Sequence, residues 1–157
     1  MTTKAELLAD KLIAEGERTV AFFNQLSPDA WVKHVYAEGP GWKVRDAYEH
    51  LILSEETLLQ LFEIEVCVGR GVDESYSIDA FNAEHTGALS SLSVHELATR
   101  YTVTRLRTAE FTRALTDEQL AIRARHPALG ESPLIDQIKL IYVHHSMHVR
   151  DVKRSLA

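Results

Sequence analysis

The sequence predicts an all-α protein, a four-helix bundle of up-down-down-up topology, and three observations carry that prediction. Four long segments repeat apolar residues at spacings of three, four or seven, with charges on the opposite side. Clusters rich in Pro and Gly separate them. A connection of about 25 residues lies between the second and third long segments, enough to carry the chain from one end of a bundle to the other. Residues 1–157 are expected to form a single domain, long enough for one substantial core.

The first helix is expected from Thr3 to about Leu26, with Leu8, Leu12, Thr19, Phe23 and Leu26 inward. Ser27-Pro28 stops it and can open a short turn. WVKHVYAEGPG ends in breakers and reads as an irregular loop, a short strand being the alternative. The second helix runs from Trp42 or Lys43 to about Cys67, with Val44, Tyr48, Leu51, Glu55, Leu58 and Phe62 on its inward stripe. Gly69-Arg70-Gly71 ends it. A short helix from Ile78 to Gly87 interrupts the long connection. Ser93 and Glu96 form a capping box that opens the third long helix, with Leu97, Tyr101, Leu106 and Phe111 inward and an end at Leu115. Thr116 to Gln119 caps a short turn in the same way, and RARHPALGE reads as a second irregular loop. The fourth long helix starts at Ser132-Pro133 and continues to about Ser155, with Leu134, Ile138, Ile141, His145, His148 and Val152 inward.

Composition excludes several function classes. A net charge of −6 argues against partners that reward clustered Lys and Arg, namely nucleic acid and anionic membrane. The arginines between Arg100 and Arg125 are interrupted by Glu110, Asp117 and Glu118, and read as a solvated face. Cys67 is the one cysteine, so an intrachain disulfide and a thiolate metal cluster are excluded; within the apolar run IEVCV it reads as a buried, inert thiol. No apolar run approaches the ~20 residues of a membrane span, and the N-terminus lacks a signal-peptide core. A soluble cytoplasmic protein is expected, and helix 1 with exposed apolar residues could support a homodimer.

Histidine placement points to a metal. Of eight histidines, His34, His85, His95 and His126 read as structural or solvated. His144 and His148 are different, because residues four apart on a helix project along one line and can share one ion. Two imidazoles on a bundle's inner flank would otherwise be desolvated without partners. A third ligand must come from elsewhere. His50 lies about seven residues from the start of the second helix and His148 about seven from the end of the fourth, so both sit ~10 Å deep if these helices are antiparallel. In a plain up-down-up-down bundle His148 would be ~22 Å from that end and the site could not close. His145, adjacent to the pair and on the inward stripe, has its own claim to be a ligand.

GWKVRDAYEHLILSEE and HHSMHVRDV resemble the Trp…His-Leu-x3-Glu helix and the His-x3-His helix of the DinB/YfiT-like superfamily, which is unrelated to the DNA polymerase sharing the first name; SIDAFN is similar to a segment of some members. The resemblance spans most of the chain. It implies an up-down-down-up bundle and a divalent metal, typically nickel or zinc, held at one end by His50, His144 and His148. Members of the superfamily include S-transferases and isomerases that use a low-molecular-weight thiol such as mycothiol, bacillithiol or glutathione. The expected function is therefore a metal-dependent thiol S-transferase or hydrolase acting on a small electrophilic molecule. The alternative is a non-catalytic, stress-related bundle that binds metal or a small molecule. Glu55, a carboxylate on an inward stripe, is the candidate catalytic residue, either as a base or as an orienter of a ligand, or else a carboxylate paired with an Arg or capping a buried group. Tyr142 and Asp151 flank the histidine pair.

Overall fold

The computed structural model describes residues 1–157. Four long helices form the bundle: α1 (Lys4–Asn24), α2 (Val44–Val68), α4 (Val94–Arg113) and α6 (Leu134–Leu156). Shorter elements join them: a 3-10 turn (Ala30–Val32), α3 (Ile78–His85), α5 (Asp117–Leu120), and the strands β1 (Arg123–His126) and β2 (Gly130–Pro133). Side-chain caps start α1, α4 and α5: Thr3, Ser93 and Thr116 each accept from the backbone N–H three residues on, with Glu6, Glu96 and Gln119 returning the bond. Gly69, in the left-handed region at φ 69°, closes α2.

The core divides into two apolar clusters. One gathers Leu8 and Leu12 of α1, Phe62 of α2, Ala109 of α4, and Leu134, Ile138 and Ile141 of α6. The other gathers Phe23, Trp31, Tyr48, Leu51, Leu97, Tyr101 and Val152. Here Phe23 and Tyr48 stack with ring centroids 3.9 Å apart. Val44 and Tyr48 thus share a cluster with Leu97 and with Val152, so the start of α2 lies beside the start of α4 and the end of α6. This places the first turns of α2 level with the last turns of α6.

Between the apolar clusters runs a buried polar layer. Arg105 of α4 donates from Nε and Nη2 to the two carboxylate oxygens of Glu55, at 2.9 and 3.0 Å, and from Nη1 to the Leu12 carbonyl at 2.9 Å. A Cβ on Gly16 would lie 2.7 Å from Arg105 Cγ, so a hydrogen at position 16 of α1 makes room for the guanidinium stem. The arginine-rich stretch is therefore not wholly a solvated face. Arg105 is 3 % exposed, whereas its neighbour Leu106, expected inward, is 51 % exposed. Leu97 and Tyr101 face inward as expected, but at the next turn Arg105 takes the inward position in place of Leu106 and meets the carboxylate of Glu55.

Two further expectations are corrected. The stretch 123–133 is an antiparallel hairpin rather than an irregular loop, with Arg123 opposite Pro133 and His126 opposite Gly130. Ala124, His126 and Ser132 face inward from it. The preceding crossover is laced to the hairpin edge: the Val72 N–H donates to the Arg125 carbonyl at 2.9 Å. Gly71 lies so close that a Cβ there would collide with the Arg125 backbone. Cys67 is exposed rather than buried: in the last turn of α2 it is Glu65 and Val66 that face the core, and Cys67 lies on the outer side.

Candidate metal centre

His50 on α2 and His144 and His148 on α6 come together, with one ring nitrogen from each lying within 4.8 Å of the others. The Nε2 atoms of His144 and His148 are 2.9 Å apart, and those of His50 and His144 are 3.3 Å apart. Two ligands at about 2.05 Å from one ion are about 2.9 Å apart at a right angle and about 3.3 Å apart at a tetrahedral angle. Both observed separations fall in that window, so this donor set can hold a divalent metal. Burial keeps the rings neutral: it pushes His50 down to about 2, with His144 and His148 adding, and pushes His144 and His148 down to about 4. Neutral imidazoles are the form that offers lone pairs to a metal.

His148 is oriented from behind. The Tyr36 hydroxyl donates to Asp151 Oδ2 at 2.7 Å, and His148 Nδ1 lies 2.8 Å from the same Tyr36 oxygen. The single phenolic proton is used on Asp151, so His148 Nδ1–H donates to Tyr36. That leaves the Nε2 lone pair facing His144 and His50. Burial together with the Asp151 charge raises the Tyr36 phenol well above its ordinary range, so the proton chain stays in this order. His50 is set by packing: the buried Trp42 ring lies 4.6 Å from it, and Trp42 Nε1 donates to Thr86 Oγ1 at 3.0 Å. Tyr36 gave no signal of its own in the sequence, being 115 positions from Asp151 in a loop.

His145 turns the other way. The Tyr101 hydroxyl and Arg105 Nη2 reach its Nδ1 at 2.7 and 2.9 Å, and both donate to it. Its Nε2 lies 3.6 Å from Glu55 Oε2. Burial, with the Arg105 charge, holds its pKa well below the usual value. The ring is thus packed into the polar layer, one nitrogen engaged by two donors. Glu55 belongs to the same layer: it is clamped by Arg105 and absent from the cavity lining, standing behind the histidines. Tyr142 packs on the apolar cluster at the opposite end from Val152.

In front of the three histidines is a cavity of about 190 Å³. Its walls are apolar, with Leu58 and Leu61 of α2, Leu140 and Ile141 of α6, and Ile78 and Phe81 of the crossover helix α3. The hairpin closes one side with His126, Pro127 and Ala128. No Lys, Arg, Asp or Glu lines it. Sequence reasoning passed over His126, a lone histidine in an apparent loop. Ala124 and His126 are both buried; the alternation of Arg123 and Arg125 with these two residues is the one trace of β1 in the sequence, too short to read as a strand. The remaining histidines stay apart. His34 bonds the Gly41 carbonyl, His85 bonds the Phe81 carbonyl and stacks on Phe81, and His95 is exposed.

No helix is long and apolar enough to cross a membrane. No curated protein sequence matches the chain. Among solved structures, YfiT from Bacillus subtilis, described as a probable metal-dependent hydrolase with an unusual four-helix bundle topology, matches with a TM-score of 0.75. The match has 18 % identity and covers 99 % of this chain and 88 % of that one. The sequence model of the DinB superfamily matches residues 11–152, and with the four-helix bundle in place the chain belongs to that superfamily.

Proposed function

We propose that this protein is a metal-dependent hydrolase of small, neutral, electrophilic molecules, with His50, His144 and His148 as the metal ligands. The observation that carries the reading is the three converging Nε2 atoms at the mouth of an apolar, uncharged cavity. A divalent ion with three histidine ligands keeps a coordination position open and brings the pKa of a bound water or thiol toward neutrality. Nickel or zinc suits an all-imidazole set. The chain's own residues do the rest. Tyr36 and Asp151 hold His148 in the ligating tautomer, Trp42 braces His50, and Leu58, Leu61, Phe81 and Ile141 take an apolar substrate body and exclude water.

Thiol S-transfer is the second reading, since a position that accepts water also accepts a thiol, and the sequence resemblance extends to thiol-using enzymes. Hydrolysis ranks first because the lining offers no cation for the carboxylates of a peptide thiol. The test has two stages. Protein purified without chelator is expected to carry about one divalent transition metal per chain. Less than a tenth of an equivalent, even after reconstitution with nickel and zinc, would sink the reading. The loaded protein is then assayed on aryl esters and anilides, and on a chloronitroarene with a panel of thiols. Turnover of the first group identifies a hydrolase and of the second a transferase. Silence on both identifies a non-catalytic metal- or small-molecule-binding bundle.

A further inference from the structure

The metal cluster and the polar layer account for four of the five histidines on the cavity wall, and His126 is left over. Its Nδ1 lies 3.0 Å from the backbone nitrogen of Ala128 and 3.2 Å from that of Leu129, and both N–H groups donate to it. A ring nitrogen that accepts two hydrogen bonds carries no proton. The ring is therefore the neutral Nε2–H tautomer, fixed by the hairpin's own turn. That Nε2 is buried and has no hydrogen-bond partner, while the residue as a whole is 4 % exposed. Buried donors without partners are rare in folded proteins and call for an explanation, and His126 lines the cavity from which a partner could come.

The ring is held firmly enough for this role. Residue 126 pairs with Gly130 across the hairpin, and Val72 of the crossover donates to the carbonyl of Arg125 next door, with Gly71 packed against its backbone. The same tautomer separates His126 from the metal. Ligation through Nε2 would require moving the proton to Nδ1, directly against the Ala128 and Leu129 N–H groups. His126 is a donor, while His50, His144 and His148 are lone-pair groups.

We infer that His126 Nε2–H donates to an acceptor oxygen of the molecule that occupies this cavity, and that the ligand class is an apolar body bearing a neutral carbonyl. The inference rests on the proposed use of the cavity as the small-molecule site, and it names the substrate class for that site. The carbonyl oxygen would sit at His126, with the apolar body against Leu58, Leu61 and Phe81. His126 is thus a substrate-binding residue that selects for an oxygen acceptor.

The test compares acetophenone with α-methylstyrene, which has the same shape with the oxygen replaced by a methylene. Binding is measured by NMR on the full chain after dialysis against a chelator, so that the result stands apart from the metal reading. Wild type is expected to bind acetophenone at least tenfold more tightly. His126→Phe should bring the two probes within twofold, and His126→Gln, which keeps an N–H donor, should restore part of the preference. On the wild type alone, nitrogen-15 spectra of the histidine rings should place the His126 proton on Nε2 and show that proton shifting with acetophenone but not with α-methylstyrene. A proton found on Nδ1, equal affinities in the wild type, a preference that survives His126→Phe, or failure to bind either probe would each overturn the inference. So would loss of stoichiometric metal in His126→Gln when the wild type holds it, since that would make the residue a ligand.

Discussion

The buried pair of Glu55 and Arg105 should be the most sensitive single point in the bundle. Glu55 is 1 % exposed and Arg105 3 %, and two parallel hydrogen bonds of 2.9 and 3.0 Å join them. Glu55→Ala removes the carboxylate and leaves a buried guanidinium that cannot deprotonate, hydrogen-bonded to the Leu12 carbonyl, Tyr101 and His145 and with Glu15 as the remaining nearby carboxylate. Breaking a buried pair from one side costs about 3–5 kcal/mol, much of it the penalty of the stranded charge. Against a total stability of roughly 5–15 kcal/mol for a domain, that is a large fraction. Replacing both partners together, Glu55→Leu with Arg105→Met, removes the stranded charge and should recover at least half of the loss. Urea unfolding followed by far-ultraviolet circular dichroism on wild type, Glu55→Leu, Arg105→Met and the double variant gives the four free energies of the cycle. The expected coupling between the two sites is at least about 2 kcal/mol. A Glu55→Ala variant within about 1 kcal/mol of wild type, or additive single and double variants, would show that water reaches the pair and that the layer is not the keystone described.

Other consequences follow from the same geometry. His144→Ala, His148→Ala and His50→Ala should each abolish stoichiometric metal binding. His145→Ala should keep the metal while losing about 1–3 kcal/mol of stability; metal analysis beside urea unfolding checks both, and the reverse pattern would misplace the site by one residue. Tyr36→Phe removes the acceptor of His148 Nδ1–H and should weaken metal binding by about 10–100-fold without changing the stoichiometry, as read by competition with a chelator. Burial pushes the Glu65 carboxyl up to about 7 from an ordinary value of 4.5. The folded state therefore holds a proton that the unfolded chain releases, and this contribution is complete below pH 4.5 and lost as pH rises to 7. Glu65→Gln should reduce the stability difference between pH 5 and pH 8 by about 1–2 kcal/mol in urea titrations; an unchanged difference would exclude Glu65 as its source.

Much of the fold was legible because long amphipathic helices advertise themselves. The apolar stripes of α2 and α6 follow from period, though the buried Glu49, Glu65 and Gln137 beside them do not, and Ser93 with Glu96 marks the start of α4 to the residue. The three clustered histidines were legible from spacing and depth, two local quantities. Three features were not, each for a physical reason. Leu106 and Arg105 exchange roles because a tertiary partner, Glu55, outweighs the hydrophobic pattern; the carboxylate on the α2 stripe was the visible sign that a cation was needed. The hairpin at 123–133 is too short for a period-two pattern to stand out, and Pro127 and Gly130 lie in or beside its turn. Cys67 sits in an apolar run, but one helix turn presents only part of such a run inward, and in the last turn of α2 that part is Glu65 and Val66.

His144 and His145 show how one helix serves two purposes at adjacent positions. A step of one residue turns about 100° around the helix axis, so neighbouring side chains cannot share a task. His144 is turned toward His50 and the cavity, and His145 toward Tyr101, Arg105 and Glu55. The second set constrains the first. A metal ligand must be held to within a fraction of an ångström, a finer tolerance than the apolar packing of Leu134, Ile138, Ile141 and Val152 sets by itself, while Val143, Ser146 and Met147 on the outer side are exposed. Fixing the His145 ring by two hydrogen bonds to groups on α4 pins the rotation of α6, and with it the direction of His144 and His148. Glu55 then acts on the site through α6, by holding the Arg105 that holds His145. A carboxylate with no place on the cavity wall would thereby govern metal geometry, and Glu55→Gln should broaden the metal's spectroscopic signature even where the bundle stays folded. An unaltered signature in that variant would mean that α6 is positioned by its apolar contacts alone.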